Sequence, residues 1–172
     1  MAGFDTLHFL LAKARRSSFW LWVLNKALGR TVPFNRQHGF ELAEIEENRI
    51  VTFAGYRRSN YNHVRGIHAC GIATIAEFSA GFLLMTKLNP NRYRLIMSRL
   101  EADYGYQAKE DIFSESEISL ERLQDEVIEP LKSQDIVSVT MESMVRDRSG
   151  NRIAAVLTTW QIKNWKKVKT KV

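Results

Sequence analysis

HACGIATIAEFSAGFLLMTKL, His68 to Leu88, is the stretch on which the fold of this chain turns. It is long, rich in small residues and apolar almost all round, and a helix with such a surface is buried inside something. Asn89–Pro90–Asn91 ends it. Its one acid is Glu77. A carboxylate buried without partners is costly and its pKa rises, which is also what a general acid or base near neutral pH requires. The plainer alternative leaves Glu77 facing solvent or paired with an arginine such as Arg99, and leaves His68 as a simple helix cap.

Outward from this helix the pattern changes on both sides. Toward the C-terminus the chain reads as strands over residues 93–107, 112–118, 136–145 and 153–162, with Gly105 as a candidate bulge. Residues 120–132 interrupt them as an inserted helix, with Leu123, Val127 and Leu131 four apart. Val137, Val139, Met141, Ser143 and Val145 alternate strictly and mark one face of their strand. On the other side, residues 57–67 form a polar loop. Phe40, Leu42, Ile45, then Ile50, Val51 and Phe53, form a hairpin around Glu47–Asn48. Before that, residues 5–14 and 18–28 are helical, the first carrying Leu7, Leu10, Leu11 and Ala14, the second ending near Gly29, with Pro33 barring continuation. One apolar helix followed by a long antiparallel run is an α+β pattern, in which a curling sheet buries the helix on most sides.

The 172 residues suit a single domain, with 45% apolar composition enough for a core. One cysteine, Cys70, permits no intrachain disulfide and suits a reducing compartment. The net charge of +6 favours anionic partners. Much of it is local: residues 163–172 hold five lysines and no acid. Zinc-finger and helix-turn-helix spacings are missing, so nucleic acid is not an expected partner. The longest N-terminal apolar run, Phe19–Leu24, is too short for a membrane span and starts too late for a signal peptide, so a cytoplasmic protein is expected. The N-terminal helices read as a lid or interface element. A membrane-surface helix, raised by two tryptophans beside basic residues, is the lesser alternative.

The start of the His68–Leu88 helix adds chemistry. Backbone N–H groups near Ala69, Cys70 and Gly71 point out of a helix N-terminus and can polarise a thioester carbonyl. His68 and Glu77 stand nine residues apart, about 13 Å of helical rise and half a turn out of phase. One carbonyl cannot meet both in one chain. If both act, they come from two chains across a two-fold, which predicts a homodimer or homotetramer.

The segment NHVRGIHACGIATIAEFSAG resembles hotdog thioesterases of the phenylacetate-pathway (PaaI-like) type. Their motif runs Asn, five residues, His-Gly-Gly, then an acid nine positions after the His. Asn62, His68 and Glu77 fall at those spacings. The wider chain looks like an uncharacterised branch of that superfamily, with its aromatic-rich N-terminal helix, a Pro33–Phe34–Asn35 segment and an NH…IHAC…AE core. The resemblance implies a hotdog domain over residues 36–165, behind a helical extension at 1–35 and ahead of a basic tail at 166–172.

By that resemblance Glu77 is the base or nucleophile, Asn62 orients water or substrate, and the helix start after His68 supplies the oxyanion donor. Ala69, Cys70, Gly71 and His63 would then line the substrate. The implied substrate is an acyl-CoA or other acyl thioester, with no metal and no cofactor. This chain has Ala69–Cys70 in place of the glycine pair, so a methyl and a thiol narrow the approach to the backbone. That departure keeps a second reading open, a non-catalytic module that binds an acyl chain or CoA. Cys70 itself reads as a small buried hydrophobe rather than a nucleophile. The hotdog dehydratases place His and Glu fourteen apart, as His63 and Glu77 are, yet their Pro-Gly pair is replaced here by Cys70–Gly71.

Overall fold

A computed structural model describes residues 2–168 of the chain. The side chains of residues 2–5 and of Leu7, and residues 169–172, most of the expected basic tail, lie outside the described set. Three helices come first: α1 (Ala2–Ala14), α2 (Ser18–Thr31) and α3 (Pro33–His38). They are followed by the hairpin β1 (Phe40–Ile45) and β2 (Arg49–Ala54), then α4 (Ala69–Lys87). The chain continues through β3 (Tyr93–Tyr104), β4 (Ile112–Glu117), β5 (Ile136–Asp147) and β6 (Arg152–Asn164). Between β4 and β5 lie α5 (Leu120–Leu123), a π turn (Gln124–Ile128) and α6 (Pro130–Ser133). Among the described residues, six strands form one antiparallel sheet in the order β1-β2-β4-β5-β6-β3.

The small residues of α4 explain how the helix seats on the sheet. Ser79 Oγ donates to Ala76 O at 3.0 Å and meets Ser114 Oγ and Ser116 Oγ at 3.1 and 2.9 Å. Ser143 Oγ donates to Ala76 O at 2.9 Å, and Thr52 Oγ1 to Ile75 O at 2.7 Å. All five hydroxyls are buried, so each must find a partner inside. At Gly81 a Cβ would stand 2.4 Å from Trp160 Cη2, which fixes the close approach of α4 to β6. By length and composition α4 would suffice to cross a bilayer, yet ten of its residues are buried within this fold.

The N-terminal helices join the same core: Leu11, Ala14 and Leu24 pack in one cluster with Phe82, Leu83 and Trp160. Asn25 ties α2 to the sheet's first edge. Its Nδ2 donates to Leu42 O at 2.9 Å and its Oδ1 accepts from Leu42 N–H at 2.8 Å, standing in for a neighbouring strand. The far edge, β3, has no such cover among the described residues and exposes Ile96 and Met97.

Four details differ from expectation. Gly29 lies inside α2, which runs on to Thr31, and Pro33 opens α3 at a position where its missing N–H costs nothing. The bulge in β3 falls between Met97 and Arg99, not at Gly105, with Ser98 Oγ donating to Thr159 O at 3.1 Å. The residues read as one inserted helix are broken by the π turn. Lys166 and Lys167, read as the first residues of a loose tail, lie in a 3-10 turn (Trp165–Lys167), where Lys167 pairs with Asp135.

Candidate active site

The helix start is built by the loop before it. Asn62 Oδ1 accepts the N–H groups of Val64 and Gly66 at 3.0 and 2.9 Å, so this amide folds the turn at 62–66. His68 then caps α4 from an extended backbone, its N–H donating to Asn60 O at 2.8 Å. Its Nδ1 accepts the Cys70 N–H at 3.1 Å, which places the ring proton on Nε2. His68 O accepts from the N–H groups of Gly71 and Ile72 at 2.8 and 3.1 Å. Of the three N–H groups expected to point outward, Cys70 and Gly71 are therefore engaged, and among the described residues Ala69 N–H alone of the three has no acceptor.

Asn62 and Ala69 share a hollow of about 310 Å³ with Ile72, Tyr104 and Gln107. Tyr104 donates its hydroxyl proton to Ala69 O at 3.1 Å. Partial burial, and next the charge of a Cys70 thiolate, push the Tyr104 hydroxyl above its ordinary pKa. Cys70 is exposed at the helix start rather than buried, because the first turn of α4 emerges from the sheet before the apolar face engages. His63 is exposed in the preceding loop.

Glu77 sits elsewhere. It lines an apolar groove of about 580 Å³ running between α4, the end of α2 and strands β3 and β6. Phe78, Phe82, Met85, Trp160 and Trp165 make much of the wall. Glu77 is half-buried and accepts no hydrogen bond among the described residues. Arg99 instead pairs with Glu101 at 3.0 Å, so the ion pair that would have made Glu77 ordinary is not formed. Burial raises its pKa above the usual carboxylate range, with no cation offsetting the loss of water. Arg94 lines the same groove, and its buried Nε finds no acceptor among the described residues.

Asn62 and the helix start thus come together, while Glu77 faces a separate space about half a turn round the same helix. Three lining residues escaped the sequence: Arg94, Tyr104 and Trp165. Only Arg94 left a signal there, as a cation within an otherwise apolar strand start. Trp165 closes one end of the groove, its Nε1 donating to Pro90 O at 2.8 Å. Chemically, the groove offers a carboxylate short of solvation beside an apolar space of acyl-chain dimensions, and the helix start offers a lone N–H donor.

A family profile described as "Domain of unknown function (DUF4442)" matches residues 21–162. No curated protein matches the chain. Several solved structures share its architecture. A Pseudomonas aeruginosa protein of unknown function, described as a probable thioesterase, superposes with a TM-score of 0.74 at 20% identity, over 83% of this chain and 94% of its own. A Haemophilus influenzae thioesterase gives 0.69 at 13% identity, over 90% and 98%. A thioesterase variant from Pseudomonas aeruginosa gives 0.67 at 10% identity, over 87% and 97%. At these identities the likeness is one of fold, and the fold is the hotdog: a long helix held in a curved antiparallel sheet.

Proposed function

This chain belongs to the family of the domain of unknown function DUF4442, and on that premise we propose that it hydrolyses acyl thioesters, acyl-CoA or a related carrier ester. The observation that carries the reading is Glu77, a carboxylate with raised pKa and no partner in the wall of an acyl-sized apolar groove. Water attacks the thioester carbonyl, Glu77 takes the proton, and the thiolate leaves with a proton to give thiol and carboxylic acid. Direct attack by the Glu77 carboxylate, followed by hydrolysis of the anhydride, gives the same products.

In this proposal the site is shared by two protomers. Glu77 of one meets the Ala69 N–H of another, with Asn62, His63, His68, Cys70 and Gly71 around the thioester. Two observations support sharing: the helix start and Glu77 of one chain open into different hollows, and β3 offers an uncovered edge for a second copy. The thioesterases among the structural relatives supply the reaction class.

The engagement of the Cys70 and Gly71 N–H groups by His68 favours the second reading, a module that holds an acyl chain without hydrolysing it. A hydrolysis screen over short, long and aromatic acyl-CoAs separates the two, with Glu77→Gln as the deciding variant. Its rate on the best substrate should fall at least about a hundredfold, the scale of a general base, and Asn62→Ala should be milder. A folded Glu77→Gln protein working at the unaltered rate would hand the site to the binding module.

A further inference from the structure

The outer face of α1 and α2 carries the rings of Phe9, Phe19 and Trp22, linked through Trp20, which packs against the core. Phe9 meets Trp20 edge-on at 6.1 Å, Trp20 meets Phe19 at 5.8 Å, and Phe19 stacks on Trp22 at 6.1 Å. A lysine closes each end: Lys13 Nζ lies 5.7 Å from the Phe9 centroid and Lys26 Nζ 5.7 Å from that of Trp22. Phe9, Phe19 and Trp22 are 54%, 61% and 55% exposed, although the opposite faces of these helices, through Leu11 and Leu24, are sealed in the core. Beside the rings, at the α1–α2 junction, lies a hollow of about 590 Å³ lined by Phe9, Lys13, Arg15, Arg16, Ser17 and Trp20.

Positive charge gathers in the same segment. Residues 1–38 hold six Lys or Arg against one Asp, net +5, residues 39–162 hold fourteen against eighteen acids, net −4, and residues 163–172 hold a further five lysines and no acid. Among the described residues, Lys13, Arg15, Arg16, Lys26 and Arg30 form no ion pair. Arg15 reaches only the carbonyl of Glu46, at 3.5 Å.

We propose that this face docks on an anionic phospholipid bilayer, with Phe9, Phe19 and Trp22 in the interfacial layer and Lys13, Arg15, Arg16 and Lys26 among the headgroup phosphates. Tryptophan and phenylalanine on one side of an amphipathic helix, flanked by cations, match the boundary between acyl chains and headgroups in both polarity and charge. A second copy of the chain fits worse, since this face would set Lys13, Arg15, Arg16 and Lys26 against their own counterparts. Single-stranded nucleic acid binds by stacking bases on flat ring faces, and here Phe19 and Trp22 stack on each other and Lys26 lies over Trp22. The proposal stands independently of the thioesterase reading.

The test is flotation of the full chain with vesicles of equal parts phosphatidylcholine and phosphatidylglycerol, against vesicles of phosphatidylcholine alone. The chain should float with the mixed vesicles only, release at high salt, and show a blue-shifted tryptophan emission when bound. Phe19→Ser/Trp22→Ser and Lys13→Glu/Arg16→Glu should each lower the partition coefficient about tenfold or more, with unchanged far-ultraviolet circular dichroism. Lys169→Ala/Lys171→Ala should stay near the unaltered chain. Loss in the tail variant with retention in the Lys13/Arg16 variant would overturn the proposal, as would a Phe19/Trp22 variant that binds normally. Equally adverse would be self-association without vesicles that both face variants abolish, or ring-dependent binding of an oligonucleotide in place of vesicles.

Discussion

Glu77 costs the fold something that its surroundings do not return. Its folded pKa is raised by burial, so as pH rises the unfolded chain ionises at this position first, near the ordinary value of 4.5. Between that value and the raised one the folded state binds more protons, and stability falls with increasing pH. Glu77→Gln should therefore melt above the unaltered chain at neutral pH and match it below pH 4.5, as thermal scans across that range will show. A variant that melts lower at neutral pH would mean the carboxylate has a stabilising partner. The same sign governs the proposed chemistry: hydrolysis should rise with pH through a value above 4.5, because the base must be ionised. Periodicity picked out Glu77 because an acid in an apolar helix is conspicuous. The cap made by His68 was one of the two readings its place before the helix allowed, whereas the use of Asn62 to fold the turn was not legible, since its partners are backbone groups set by loop geometry.

At the scale of elements, α4 is held by small residues on one side and aromatic ones on the other. Gly81→Ala gains up to about 1 kcal/mol in helix propensity, yet its methyl would enter the ring of Trp160. That ring is fixed by its Nε1 donating to Thr158 Oγ1 at 2.9 Å, so it cannot swing away freely. Overpacking of this kind costs about 1–3 kcal/mol, and a net loss of about 1 kcal/mol should appear in urea unfolding; a neutral or stabilised variant would show that the sheet yields easily. The strands were legible from their alternation, most clearly β5, whose inward residues are those the pattern marked. The π turn and the Met97–Arg99 bulge were not, because each answers to a tertiary contact rather than to a local preference. The pairing order β1-β2-β4-β5-β6-β3 likewise had no local signal, since α4 carries the chain from β2 to the opposite edge, where β3 pairs with the last strand, β6, and β4 returns beside β2.

For the whole molecule, the two ends of the sheet differ. Among the described residues β3 leaves its twelve-residue edge uncovered, with Ile96 and Met97 exposed beside it. We expect light scattering at micromolar concentration to give at least twice the 19.9 kDa chain mass, and Ile96→Lys/Met97→Lys to shift it toward the monomer. A stable monomer would remove the shared site along with the dimer.

The amide of Asn25 has its own consequence at this scale. A sheet with two adhesive margins has a valence of two, and copies joined margin to margin can add without limit into a fibre. By occupying the N–H and C=O of Leu42, Asn25 blocks one hydrogen-bonding position on β1. The valence falls toward one, and growth through the remaining margin stops once two copies have met. A single side chain on a helix thus limits where another copy could join the sheet, and leaves β3 as the margin through which the proposed dimer would form without the hazard of polymerising through the other.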